Sequence, residues 1–268
     1  MVLKSSEHPV AVNKLEMCVA DVRAWAITNK LMLNDAKTEI VHFHSQHRKA
    51  SSLPPLCIGD ANIKASDSAK DLGVVLDSTL LLKQHVRNIC RAASFGIHKI
   101  GKIRKYLDRP ATERLIHAFV TLRLDCNNSL LHGLPAAQIA SLQRVQNAAA
   151  RLVTLTRRRE HITPILRQLH WLPIQDRICF KILLTAYKVR HGIAPKYICE
   201  LLSDYTPAVN LRSSSQLLFR PGPRTKTKYG DRAFAVAAPR LWNNIPKTIR
   251  GASSVGSFKS KLKTFLFK

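Results

Sequence analysis

At 268 residues with 46% hydrophobic side chains, the chain can bury a core in one large or two modest domains, which excludes a disordered tail. Forty-three Lys and Arg against seventeen Asp and Glu leave a net charge of +26, a surplus that calls for a polyanionic partner. That surplus is one-sided: residues 1–78 hold nine basic and nine acidic side chains, residues 79–268 thirty-four and eight.

Taken in order, residues 10–31 read as a helix, with Val12, Leu15, Val19, Val22 and Ala26 at helical spacing. Asn34 and Asp35 are residues that bond their own backbone in turns. Residues 38–44 then suit a half-buried strand, with Lys37 at its mouth where a side chain can reach a phosphate. A basic loop at 46–52 leads to short strands at 56–58, 62–64 and 73–76, predicted with 38–44 to form one small antiparallel sheet.

From Leu80 the pattern turns helical. Val86, Ile89, Cys90, Ala93, Ile97, Ile100 and Ile103 give one apolar stripe, and Lys83, Arg87, Arg91, Lys99, Lys102, Arg104 and Lys105 flank it. Asp108-Arg109-Pro110 stops that helix. The next is predicted over 111–132, with Leu115, Ala118, Phe119 and Leu122 inward. A third opens at Pro135, its apolar positions alternating with Gln143, Arg144, Gln146, Asn147 and Arg151. Thr163-Pro164 starts a short helix. Residues 174–191 form a longer one around Ile178, Ile182, Leu183, Ala186 and Tyr187, ending at Gly192. A short helix from Pro195 to Leu202 precedes a loose segment, 203–229, then a helix over 233–242 broken at Pro239, and a last helix over 255–267.

Leu31, Leu33, Asn34, Lys37, Thr38 and Glu39 resemble the segment after the catalytic hairpin in reverse transcriptases of LINE-type (non-LTR) retrotransposons, jockey-like group. The resemblance continues at Asp71-Leu72-Gly73-Val74, Arg123-Leu124-Asp125, LQRVQNAAARLV (142–153), HITPIL and LHWLP (161–173), and GDRAFAVAAPRLWNNIP (230–246). It implies an RNA-directed DNA polymerase whose aromatic-x-Asp-Asp hairpin would precede Met1. It also implies that 1–78 is the end of a palm, 79–202 a helical thumb and its extension, and 203–268 a basic C-terminal region. Lys37 would contact the incoming nucleotide or pyrophosphate, and Gly73 would let a hairpin approach the primer closely.

Polymerisation needs two metal ions held by carboxylates on adjacent strands. No Asp-Asp pair exists, and Asp67, Asp71 and Asp77 read as turn and cap residues. No catalytic residue, bound metal or other cofactor is therefore expected, Mg²⁺ belonging only to a complete polymerase. The cations at 83, 87, 91, 102, 104 and 105 read as a face that tracks phosphates, because only Asp108 and Glu113 oppose them among residues 79–114. Thr156-Arg157-Arg158-Arg159 fits either a helix C-terminal dipole or phosphate contact. His42 and His44 read as an edge-strand pair, and Trp25, Trp171 and Trp242 as core anchors.

Six cysteines stand singly, without zinc-finger spacing, as expected for reduced thiols in an intracellular setting. No apolar run has signal-peptide or membrane-span length, so no membrane partner is expected.

The expectation is thus a mainly α chain with a small antiparallel sheet near the start, whose strands keep an unpaired edge. It would be a truncated reverse transcriptase, inactive as a polymerase, that binds RNA or DNA and associates with a complete copy of the element's protein. The alternative is a basic helical interaction protein with an acidic protein partner.

Overall fold

In the computed structural model, residues 8–45, 54–59, 61–207, 216–225 and 227–267 are described. The loop expected at 46–52 and the serines at 213–215 lie outside them. The chain is mainly helical with small antiparallel strand pairs, and it divides into two compact units after His85.

The first unit opens with α1 (His8–Thr28), on which only His8 and Ala26 are buried. Of the predicted inward stripe Ala26 is buried and Val12 and Val19 are half-buried, but Leu15 and Val22 are exposed, and Trp25, expected as a core anchor, is 61% exposed. Polar anchors fix the roll of the helix beside these apolar contacts. Glu16 accepts from the Cys57 amide at 2.7 Å, and Arg23 pairs with Asp35 at 2.6 Å. Asn34 caps the tight turn Asp35–Lys37 by accepting from the Lys37 amide.

Six short strands follow among the described residues. β1 (Ile40–Val41) pairs with β4 (Ala65–Ser66), β2 (Leu56–Ile58) with β3 (Ala61–Ile63), and β5 (Ser68–Asp71) with β6 (Val74–Asp77). The β2–β3 and β5–β6 hairpins are antiparallel, but β1 runs parallel to its partner, so 38–44 does not join one antiparallel sheet. The strand expected at 38–44 is confined to Ile40–Val41, and beyond it the His44 amide donates to the Ser78 carbonyl at 2.9 Å, past the end of β6. Each strand has one hydrogen-bonded neighbour among the described residues, which leaves the unpaired edges expected of a small sheet.

The helix α2 (Lys83–Ile103) starts where Asp77 gathers donors. Its carboxylate accepts from the Leu81 amide at 2.8 Å, the Lys83 amide at 3.0 Å and the Thr79 hydroxyl. Asp77 is thus the cap that the sequence suggested. Val86, Ile89, Ala93 and Ile100 form the buried face.

Asp108 caps α3 (Arg109–Ile116), which runs through a π turn (His117–Thr121) into α4 (Leu122–Asp125). Its inward side chains are Thr112, Ile116, Val120 and Leu124, whereas Phe119 and Leu122, predicted inward, face out. A repeat of four drifts around a helix of 3.6 residues per turn, and the wider π turn takes up that drift.

The second unit continues with α5 (Ala136–Thr154), α6 (Ile162–Gln168), α7 (Ile174–Arg190), α8 (Lys196–Cys199), α9 (Lys228–Arg232), α10 (Phe234–Asn244), α11 (Lys247–Arg250) and α12 (Val255–Leu266). α7 is the hub: α5, α10 and α12 all pack on it. Its five predicted core residues are buried, and Gly192 (φ +66°) closes it. The Tyr187 ring stacks on Phe258 at 4.3 Å while its hydroxyl donates to the Ala252 carbonyl at 2.8 Å. The region after 203 therefore belongs to the same core as the helices before it.

Two details correct the reading of that region. First, α10 runs unbroken through Pro239. Proline removes the donor that would face the Ala235 carbonyl, and Gly222 runs against that oxygen so closely that a Cβ at 222 would overlap it. Second, the segment around Phe219 is anchored: Asn243 accepts from the Phe219 amide at 3.0 Å and donates to its carbonyl at 2.9 Å. Among the described residues no helix is long and apolar enough to cross a membrane.

Candidate nucleic-acid interface

Helical geometry places Arg87, Arg91 and Lys102 on the side of α2 opposite its buried face and Lys83 on its flank, and all four are exposed. Phe95, 58% exposed, stands on the same side, with the Lys99 ammonium 4.6 Å from its ring centre. Beyond the helix the Lys105 ammonium lies 4.7 Å from the Tyr106 ring centre. Among the described residues, Arg91, Lys102 and Lys105 form no ion pair with a carboxylate. The face is therefore a row of cations with aromatic rings set between them.

Arg104 leaves this row. The chain tightens into a 3₁₀ turn at Arg104–Tyr106, and the guanidinium turns inward. It donates to the carbonyls of Leu152 (3.0 Å), Val153 (3.1 Å) and Leu107 (2.7 Å). Leu152 and Val153 belong to the last turn of α5, whose carbonyls lack helical donors. Sequence spacing groups Arg104 with its neighbours; the need of another helix end for donors takes it away.

Arg250 does the same for α10, at 2.6 Å from the Ile245 carbonyl and 3.1 Å from that of Asn243. Arg232 donates to the carbonyls of His132 and Leu130. Among the described residues Arg104 and Arg250 are held by carbonyls and pair with no carboxylate, so their charge is not neutralised.

On the first unit, Lys37 ends the 3₁₀ turn, exposed and three residues before β1. Gly73 lies at the tip of the β5–β6 hairpin with φ +86°, after Leu72 at +44°. A two-residue turn of this hand favours glycine, so the conformation alone accounts for Gly73, and space around it is open. His42, which the sequence paired with His44 alone, also meets His8, with ring centres 5.4 Å apart. Burial, then His8 and His44, hold the His42 pKa below its ordinary 6.5. Among the described residues no group of three His, Cys, Asp or Glu side chains could hold a metal ion.

Several residues in the motif stretches work inside the fold. Arg177 clasps both carboxylate oxygens of Asp125, one at 2.8 Å. Gln143 accepts from the Ile174 amide at 2.8 Å, supplying a cap that Pro173 cannot. Gln146, predicted on an outer face, is buried and donates to the Leu172 carbonyl at 2.8 Å. Nothing in the sequence pattern separates a glutamine that caps a neighbouring helix from one facing water. Trp171 and Trp242 are buried as expected. Comparison with known proteins finds no matching family model, no matching curated protein and no matching solved structure.

Proposed function

We propose that the chain is related to the palm end and thumb of LINE-type reverse transcriptases and binds RNA or DNA without copying it. The observation that carries this reading is the exposed row of cations on α2 beside Phe95, with Arg91, Lys102 and Lys105 unpaired by carboxylates. Such a row can exchange condensed counterions for phosphates along a groove. Lys83, Arg87, Arg91, Lys102 and Lys105 would lie along the backbone, and Lys37 and Gly73 would form a separate contact on the first unit. The motifs from Leu31 to Pro246 support the relationship, and a complete copy of the element's protein is a natural partner.

The test is a salt titration of binding to structured RNA and to duplex DNA. Log affinity should fall steeply with log salt, by about 0.9 per phosphate neutralised on a duplex. Arg91→Ala with Lys102→Ala should reduce the slope by about 2. A flat salt dependence sinks the reading. One observation favours an acidic protein partner instead: an apolar groove of about 330 Å³ beside the row, lined by Phe95, Ile103, Leu115 and Phe119. Polyglutamate that competes as well as RNA would favour that alternative.

A further inference from the structure

A second cavity, of about 330 Å³, lies within the second unit where α7 and α12 border the turn after α4. Its size suits a single nucleotide. One wall is apolar, from Leu172, Phe180 and Leu184. Lys181 on α7 and Lys259 and Lys263 on α12 also line it, all exposed. None of the three lysines forms an ion pair among the described residues. Among the described residues the one carboxylate lining the cavity, Asp125, is already clasped by Arg177. The cavity thus offers an apolar surface for a flat ring and uncompensated ammonium groups for an anion.

Asn128 adds a second, independent feature. It lines the same cavity, is 4% exposed, and among the described residues its Oδ1 has no donor. The orientation of the amide is fixed by chemistry: Nδ2 lies 3.4 Å from Asp125 Oδ1, and the opposite orientation would set two acceptors against each other. What remains is a buried acceptor that lacks a partner, a state that is costly until a donor arrives. A phosphate carries no such donor at neutral pH. On a nucleotide whose phosphate is held by the lysines, the nearest donor is a ribose hydroxyl.

We propose that this cavity takes one ribonucleotide of an RNA strand, with its base against Phe180 and Leu184, its phosphate on Lys181, Lys259 and Lys263, and its 2′-hydroxyl donating to Asn128. The inference rests on the nucleic-acid reading above and adds to it a preference for RNA over DNA.

The experiment compares the full chain on single-stranded RNA and DNA of one sequence, with polyglutamate as a competitor. RNA should bind about fivefold more tightly, the worth of one net hydrogen bond. Asn128→Leu should bring that ratio to about one, whereas a purely structural Asn128 would change the melting temperature and leave the ratio alone. The exposed variant Lys181→Gln/Lys259→Gln/Lys263→Gln should weaken both strands and keep the fold.

Uridine monophosphate, but not its deoxy form, should shift the Asn128 side-chain amide resonances, which tests the cavity without relying on a variant. Equal affinity for the two strands, a ratio indifferent to Asn128→Leu, or identical shifts from the two nucleotides overturns the proposal while nucleic-acid binding stands. Polyglutamate that displaces RNA from the cavity at equal strength also overturns it. Failure to bind either strand at low salt overturns both readings.

Discussion

Arg104 shows how much a single side chain can mislead when its neighbours are all cations. Its spacing matches Lys102 and Lys105, yet its guanidinium holds two carbonyls at the end of α5. Arg104→Ala should destabilise the second unit by about 1.5–3 kcal/mol, the range for hydrogen bonds to a charged group. The same change should leave the salt slope of nucleic-acid binding as it was. Chemical unfolding beside a salt titration checks both halves, and a slope reduced as far as by Lys102→Ala would return Arg104 to the binding face.

His132 supplies a pH-dependent counterpart. Burial, then Arg232 and Arg240, hold its pKa below the ordinary 6.5. The unfolded chain therefore takes up a proton first as pH falls. The contribution of neutral His132 is intact above 6.5 and drains away from there down to the lower folded-state value. Stability should decline as pH falls through and below 6.5, and His132→Gln should flatten part of that decline. The slope that remains belongs to His42 and His85, whose values are also lowered, chiefly by burial. An unchanged profile in the variant would remove His132 from the account.

At the scale of elements, packing partners decide which helix face is buried. α1 and α10 each carry a tryptophan at an apolar position, and the sequence treats the two alike. On α10, Trp242 is fully buried, packs near Phe219 and Phe258, and donates to the Leu217 carbonyl at 2.9 Å. On α1, the Glu16 and Arg23 anchors roll Trp25 outward. Trp242→Ala should cost about 3–5 kcal/mol, while Trp25→Ala should stay within about 0.5 kcal/mol. Denaturant midpoints of the two variants decide the matter, and a large loss at Trp25 would mean that α1 packs by its apolar face after all.

At the scale of the whole chain, charge and chemistry separate. The surplus of cations lies after residue 78, and among the described residues carbonyls rather than carboxylates hold Arg104 and Arg250, so their charge adds to the field of the second unit. No cluster among the described residues could hold the pair of metal ions that phosphoryl transfer from a nucleoside triphosphate requires. With template, primer, deoxynucleotides and Mg²⁺ or Mn²⁺, the 268-residue chain by itself should yield no extension. Robust extension, lost on mutation of Asp67 or Asp71, would show that carboxylates assemble around substrate.

What the sequence determined by itself is whatever depends on neighbours along the chain. The helical periods of α2 and α7, the cap at Asp77, the stops at Asp108-Arg109-Pro110 and Gly192 and the hairpin positions of β2 and β3 all follow from spacing and turn chemistry. The row of cations on α2 was legible for the same reason, because one helix carries it. The rest required partners distant in sequence. Only tertiary structure decided that α1 is anchored by polar groups, that the π turn faces Phe119 outward, and that Gly222 meets the carbonyl left bare by Pro239. The same holds for Asn128, buried beside lysines from two other helices. Hydrogen-bond needs at helix ends and the fit of one face on another are set in space, and no local pattern records them.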